Sequence, residues 1–351
     1  MTTLPGTAPA AEPPRPRATM RDVAALAGVS LKTVSRVINR EPGVSGDLIE
    51  RVERAATQLD FRPNLGARSL RRADGRTATI GVVLENLANP FSSALLRAVE
   101  DVAVTRGVAV LAGSIDRADE RERQLVTAFA ARRVDGLIIM PTADDQSYLL
   151  LERRAGTKLV FVDRLPQSFA ADTVTSANRE GAAAGTAHLL AHGHRGIAFL
   201  GDMTGIATEG ERRRGYLDAL AAAGVRLRRE LIRESLATTE AAEAAAAELL
   251  RLPDPPSAVF ASQNLITIGA IRALRAAGRQ HEVALVGFDD VLLADLLEPA
   301  VTVVAQQPAQ IGSLAAQRLF ARIDGDTEPY HSDVVETRLL PRGSGEIRPR
   351  N

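Results

Sequence analysis

The chain has no cysteine and no tryptophan among its 351 residues, and aromatic residues make up only 3% of it. Without thiols it can hold neither a disulfide framework nor a thiolate metal site. No run of 18 apolar residues occurs, which excludes a helical membrane span. The first 18 residues are rich in Pro, Ala and Thr but lack the apolar centre of a secretory signal. They read as a disordered tail, and the protein as cytoplasmic. Lysine is almost missing, so arginine carries the positive charge. Net charge is zero, which alone would not suggest a polyanion binder. The distribution is uneven, however. Residues 1–76 hold 13 Arg and Lys against 8 Asp and Glu, a net of +5; the remainder holds 30 against 35, a net of −5. A basic head on an acidic body fits a nucleic-acid module attached to a larger domain.

What is present begins with T-M-R-D-V-A-A-L-A-G-V-S-L-K-T-V-S-R-V-I-N, residues 19–39. Val23, Ala24, Leu26 and Ala27 give a short helix an apolar face. Gly28 suits the left-handed position just past a helix end, and Ser30 is a good N-cap for a second helix. That helix runs from Leu31, with Val34, Val37 and Ile38 inward. Two short helices around a Gly-containing turn predict a helix-turn-helix, whose second helix can enter the DNA major groove. Its outward face carries Leu31, Lys32, Thr33, Ser35, Arg36 and Asn39, side chains suited to base edges and phosphates. Glu41-Pro42-Gly43 then breaks the chain. Ser45 can cap a third helix over 47–59, whose Leu48, Val52, Ala55, Ala56 and Leu59 would cover the first two. Pro63 ends that region, and Asn64–Arg72, with Gly66 inside it, is too short to be a stable helix alone.

From Thr77 the pattern changes. Strand-like runs at 79–84, 108–112, 136–140, 159–162, 197–200, 258–261, 283–286 and 301–304 alternate with helical stretches at 91–105, 120–132, 178–191, 210–222, 239–251, 264–277 and 308–322. Alternation of this kind predicts parallel sheets covered by helices on both faces, and the count fits two doubly wound lobes in tandem. Ligands in such sheets lie outside the carboxyl ends of strands. There the sequence places Glu85–Phe91, Asp116, Asp163-Arg164, Gln263-Asn264, Phe288-Asp289-Asp290 and Gln306-Gln307. These are hydroxyl-binding side chains, with Phe91 and Phe288 as flat faces for a sugar ring or a base. No P-loop, G-x-G-x-x-G, G-x-S-x-G or H-E-x-x-H pattern occurs, so no enzyme and no cofactor is expected. His188 and His192 stand four apart on a helix without a third ligand in view, and no metal is expected there.

The combination resembles the LacI/GalR family of bacterial transcriptional regulators, from about Thr19 to Leu340. The opening motif carries the resemblance, together with P-N-L-G-A-R-S-L, R-V-D-G-L-I, F-V-D-R, H-L-L-A-H-G-H-R-G-I-A-F-L-G, E-R-R-R-G-Y and V-G-F-D-D, in that order. It implies an all-α helix-turn-helix head joined to an α/β two-lobed body like a periplasmic binding protein. The implied divisions are a tail at 1–18, a DNA-binding domain at 19–61 and a hinge helix with linker at 62–76. The body then spans 77–341, with a first lobe of about 77–175 plus 306–325 and a second of about 176–305 plus 326–341, before a tail at 342–351.

By the same resemblance, Leu31, Lys32 and Arg36 correspond to base-reading positions, Arg36 with the guanine preference of its type. Thr19, Ser30, Thr33, Asn39 and Ser45 match phosphate contacts. Asn64–Leu70 matches a hinge helix that forms on DNA, with Leu70 as a minor-groove wedge and Ala67 beside it. Asn89, Phe91, Asp163, Arg164, Arg212, Asn264, Asp289 and Gln307 correspond to the effector pocket. Three departures stand out. Gly66 sits where a better helix former is usual, which raises the ordering penalty by roughly 0.5–1 kcal/mol. Leu48-Ile49 replaces a Thr-Arg pair, and Gln263 stands where Asn is frequent. The implied function is a homodimeric repressor of a carbohydrate-utilisation operon. It would bind a pseudo-palindromic operator under control of a small effector, most simply a sugar. A solute-binding protein and a sugar-metabolising enzyme on the same body are the rival readings; the basic head and the missing catalytic motifs argue against them.

Overall fold

The structure is a computed structural model that describes residues 18–39, 41–61, 75–142 and 145–350. The hinge residues Asn64, Ala67 and Leu70 lie outside the described residues. The chain divides into two compact units, Met1–Thr77 and Ala78–Asn351.

In the head, α1 (Met20–Ala27), α2 (Leu31–Ile38) and α3 (Gly46–Gln58) enclose Val23, Val34, Val37 and Val52. The local signals act as the sequence suggests. Thr19 and Asp22 form a reciprocal capping box on α1, and Gly28 ends that helix at φ 63°. Ser30 accepts the Thr33 N–H at 3.1 Å to start α2. One expectation fails: Leu26 is 46% exposed, because α1 turns only one side toward α3 and Val23, Ala24 and Ala27 fill it. Arg51 of α3 reaches back to the Ala27 carbonyl at 2.6 Å, satisfying an otherwise open helix end.

The second unit contains two six-stranded sheets. The first has the order β11-β5-β4-β3-β1-β2 and the second β12-β10-β9-β8-β6-β7. In sequence these are β1 (Thr79–Leu84), β2 (Ala109–Ser114), β3 (Gly136–Ile139), β4 (Lys158–Val162), β5 (Asp172–Ser176), β6 (Ile197–Leu200), β7 (Ile232–Arg233), β8 (Ala258–Ala261), β9 (Ala284–Phe288), β10 (Thr302–Ala305), β11 (Ser332–Val335) and β12 (Arg338–Leu340). Every pairing is parallel except β10 with β12, which is antiparallel. The helices are α4 (Pro90–Thr105), α5 (Asp119–Ala131), α6 (Leu150–Arg154), α7 (Asn178–Ala191), α8 (Ala207–Ala222), α9 (Thr239–Leu250), α10 (Asn264–Ala276) and α11 (Pro308–Ile323). Strand residues alternate between two apolar layers. Ala198 and Leu200 face one side of the second sheet, Ile197 and Phe199 the other.

The chain passes between the lobes three times, after β5, β10 and β11. The lobe boundaries expected from sequence need correction: residues 332–335, expected in the second lobe, form β11 at the edge of the first sheet, paired with β5. The expected tail at 342–351 is corrected too. Ser344 is buried, donates to the Leu285 carbonyl at 2.6 Å and accepts the Thr302 N–H at 2.9 Å, so this segment is part of the second lobe.

Helices cross where the sequence supplies glycine. A Cβ on Gly215 of α8 would lie 2.1 Å from the Arg179 carbonyl oxygen of α7, and one on Gly312 of α11 would lie 2.3 Å from the Leu95 oxygen of α4. Backbone cannot yield as a side chain tip can. Gly215→Ala is expected to destabilise the second lobe by about 1–3 kcal/mol or more, read as a lower urea midpoint without loss of helix content.

Candidate functional site

Two surfaces carry the chemistry. On the head, successive residues of α2 turn by about 100°, which puts Leu31, Lys32, Ser35, Arg36 and Asn39 within one side of the helix, opposite Val34 and Val37. Leu31 and Lys32 are exposed, Leu31 at 44%. Asn39 closes the helix and donates to Ser35 Oγ at 3.3 Å. The Thr19 and Ser30 hydroxyls are engaged as caps, and Ser30 Oγ lies 2.9 Å from Thr33 Oγ1. Ser45 starts α3 without using its hydroxyl in a cap.

In the body, polar residues gather at the carboxyl ends of strands from both lobes. Asp163, after β4, and Asp289, after β9, occupy matching places. Both take left-handed backbone conformations, φ 66° and 68°, and both are buried. Burial pushes the Asp163 carboxyl above its ordinary range despite Arg164 and Arg212 nearby. Arg164 pairs with Glu85 and approaches Asp163 at 3.5 Å as an ion pair. For Glu85, burial works to raise the pKa, but Arg164 and Arg117 outweigh it and hold the carboxylate below its usual range.

Arg212 is the centre of the second lobe's side. Its guanidinium lies 4.0 Å over the Phe288 ring, donates through Nε to Asn178 Oδ1 at 2.8 Å and through Nη1 to the Ser262 carbonyl at 2.8 Å. Asp289 Oδ2 stands 3.9 Å away. Phe288 is fully buried beneath Arg212 and offers no free face for a ring, contrary to the expectation from sequence. Phe91 is half-buried and packs on the first lobe's core.

Among the described residues, side chains of the two lobes meet across the cleft. Asn89 and Asn264 exchange amide hydrogen bonds at 2.9 and 3.4 Å. Arg117 grips both carboxylate oxygens of Asp202, at 2.7 and 2.8 Å, and donates through Nε to Glu85 at 2.8 Å. Arg117 and Asp116 take consecutive positive φ values, 59° and 49°, a strained turn that aims the guanidinium across the cleft. Gln263 caps α10 through Oε1 and donates to Asp202 at 3.2 Å.

Of the eight expected cleft residues, Gln307 is placed differently. It donates to the Glu336 carbonyl at 2.7 Å and braces a crossover, while its neighbour Gln306 reaches Asp289 at 2.6 Å. Arg117, Asp202 and Glu209 escaped the sequence reading. Asp116 is the nearest sequence signal for Arg117, and for Asp202 it is the place two residues after β6.

Glu209 lies under the Gly201-Asp202 turn, 2% exposed, and accepts from Ser262 Oγ. Burial raises its pKa against the Ser262 hydrogen bond and Arg212. A carboxyl raised in the folded state opposes folding once pH exceeds that raised value and is neutral toward folding below its unfolded pKa. Glu209→Gln is therefore expected to stabilise the protein at alkaline pH, with the gain fading toward acid in urea unfolding across a pH series.

The histidines bind protein groups. His194 bridges Ser257 Oγ at 2.9 Å and the Ile347 carbonyl at 2.7 Å, and His188 contacts Glu346. Among the described residues no cluster of His, Asp and Glu could hold a metal ion, and no helix is long and apolar enough to cross a membrane.

The sequence matches a family described as "Bacterial regulatory proteins, lacI family" over residues 19–64, and a "Periplasmic binding protein-like domain" over 186–345. The regulator GalR of Escherichia coli (strain K12) is 32% identical over 333 residues, spanning 93% of this chain and 95% of that protein. A complex of the transcriptional regulator CelR with cellobiose is 34% identical, covers 93% of this chain and 100% of its own, and superposes with a TM-score of 0.69. The lac repressor dimer bound to operator and the anti-inducer ONPF is 25% identical, covers 94% and 99%, and superposes with a TM-score of 0.83.

Proposed function

Because the chain belongs to the LacI family of DNA-binding transcriptional regulators, we propose that it is a homodimeric repressor whose operator affinity is set by a neutral, hydroxyl-rich sugar bound between its lobes. Each head would read one half of a pseudo-palindromic operator through Leu31, Lys32 and Arg36. Thr19, Ser30, Thr33, Asn39 and Ser45 would hold phosphates. Asn64, Ala67 and Leu70 would contact the operator centre. The ligand would select one lobe arrangement and so bias the paired heads, a coupling typically worth about 1–3 kcal/mol.

The observation that carries the ligand class is the charge balance of the cleft. Glu85, Asp163, Asp202, Glu209 and Asp289 line or underlie it against Arg117, Arg164 and Arg212. Glu85, Asp202 and Asp289 alone already match the three guanidinium groups, so an added anion gains nothing, whereas hydroxyls can both donate to carboxylates and accept from guanidinium groups. A purine would need a stacking face, and Phe288 lies buried under Arg212. CelR with cellobiose is the supporting relative.

The test is thermal melting of the full chain against neutral monosaccharides and disaccharides, sugar phosphates and purines. A neutral sugar should raise the melting temperature in a concentration-dependent way, by mass action on the folded state. Stabilisation by a purine or a sugar phosphate alone would overturn the ligand class.

A further inference from the structure

Arg36 does not wave freely on the outer face of α2. Its Nη2 donates to the Pro42 carbonyl at 2.8 Å, and its Nε stands 3.4 Å from Glu41 Oε2. The Glu41 N–H in turn donates to the carbonyl of Arg36 itself at 2.9 Å. The loop that leaves α2 is therefore folded back on Arg36 and tied to it at three points. Both side chains are partly exposed, at 38% and 49%, so nothing in the core requires this arrangement.

A guanidinium has two usable edges, each a fixed pair of N–H groups. The Nε side faces Glu41, and Nη2 gives one of its two hydrogens to Pro42. Nη1, at the end fork, has no partner among the described residues. A guanine edge presents two acceptors, O6 and N7, that match such a fork. Glu41 thus does not compete for the hydrogens a base would take. It fixes the plane of a long side chain that would otherwise lose its rotamer freedom on contact with DNA.

We propose that Glu41 is a positioning residue for base recognition: it clasps the side edge of Arg36 so that the end fork is set for one guanine in each half-site. This rests on Arg36 reading a base, as in the proposed function. The Glu41 charge also opposes phosphates, so its removal should act in opposite directions on specific and non-specific binding. A residue that merely supported the fold would not do that.

The experiment uses the full chain at fixed salt, because phosphate contacts make affinity salt-dependent. A duplex is first selected from a randomised library by the unaltered protein, and each base pair of its half-sites is then replaced in turn. Arg36→Ala is expected to lose discrimination at one G·C pair by about tenfold or more. Glu41→Gln is expected to lose discrimination at that same pair by about two- to fivefold, the range of an exposed ion pair. Its binding to an unrelated duplex should be unchanged or tighter, and Glu41→Asp should recover part of the discrimination. If Glu41→Gln scales all duplexes alike, or keeps full discrimination where Arg36→Ala loses it, the positioning role is overturned. If Arg36→Ala keeps its discrimination, the base-reading assignment falls, and this inference with it.

Discussion

Arg212→Ala is expected to abolish the response of operator binding to the sugar, weakening sugar affinity by about a hundredfold or more while leaving ligand-free operator affinity within about threefold. The reason lies in what this side chain holds. It is 6% exposed, with two of its nitrogens engaged by Asn178 and the Ser262 carbonyl and its plane supported by Phe288. Nη2 is left without a hydrogen-bond partner among the described residues, while Nη1 stands 3.9 Å from Asp289. A donor fixed on three sides and free on the fourth is pre-organised for a ligand oxygen, so little ordering penalty remains when the ligand arrives. The alanine variant also leaves buried Asp289 without its nearest cation. A loss of stability is therefore expected alongside, and Arg212→Lys separates the two effects. Lysine keeps the charge but cannot hold Asn178 and Ser262 at once, so it should retain more of the fold and still bind poorly. Calorimetric titration of the sugar found by melting, with operator binding measured in parallel, checks both. A normal response in Arg212→Ala would remove this residue from the site.

The second large effect concerns the bridge between the lobes. Arg117 and Asp202 form a two-point ion pair with side chains 25% and 10% exposed. That pair favours the lobe arrangement seen here, as a ligand seated between the lobes would. Bridge and ligand would bias one equilibrium in the same direction, so breaking the bridge makes the ligand supply more of the closing free energy alone. Arg117→Ala is expected to weaken sugar binding by about five- to thirtyfold, the span of 1–2 kcal/mol. It should also shift ligand-free operator affinity opposite to the sugar's own effect: tighter if the sugar releases DNA, weaker if the sugar is required for binding.

Stability gives an internal check. Arg117→Ala leaves Asp202 buried with Gln263 but no cation. Because an unpaired buried charge is worse than no pair, the double variant Arg117→Ala, Asp202→Asn should be more stable than Arg117→Ala alone. Additive losses in urea unfolding would show the two side chains to be uncoupled.

Much of this architecture is legible in the chain because it rests on local signals. Gly28 and Ser30 mark the turn of the head, and the apolar period over 178–191 ends where the helix Asn178–Ala191 ends. What escaped depends on distant partners. β5 reads D-T-V-T-S, polar enough to pass for a loop, yet every residue is buried. Asp172 is acceptable there because Arg322 of α11 holds both its oxygens, at 2.7 and 2.9 Å, from 150 positions away. β11 and β12 are short edge strands whose sheet is decided by a crossover that no periodicity reports. The cleft shows the same division. Asp163, Arg212, Asn264 and Asp289 could be read as polar residues near strand ends or in a family motif, whereas the Arg117–Asp202 bridge exists only once two lobes face each other. The choice between Gln306 and Gln307 turned on which way one side chain points at a crossover.

The most direct measurement of the central claim is operator binding by the full chain, at fixed salt, with and without the sugar that raises its melting temperature. The duplex is the one selected by the protein itself. A neutral sugar that changes operator affinity by about 5- to 150-fold, with the change lost in Arg212→Ala, is the result expected of a ligand-controlled regulator. An affinity indifferent to every ligand that stabilises the body would contradict the account, because the cleft and the head would then be uncoupled.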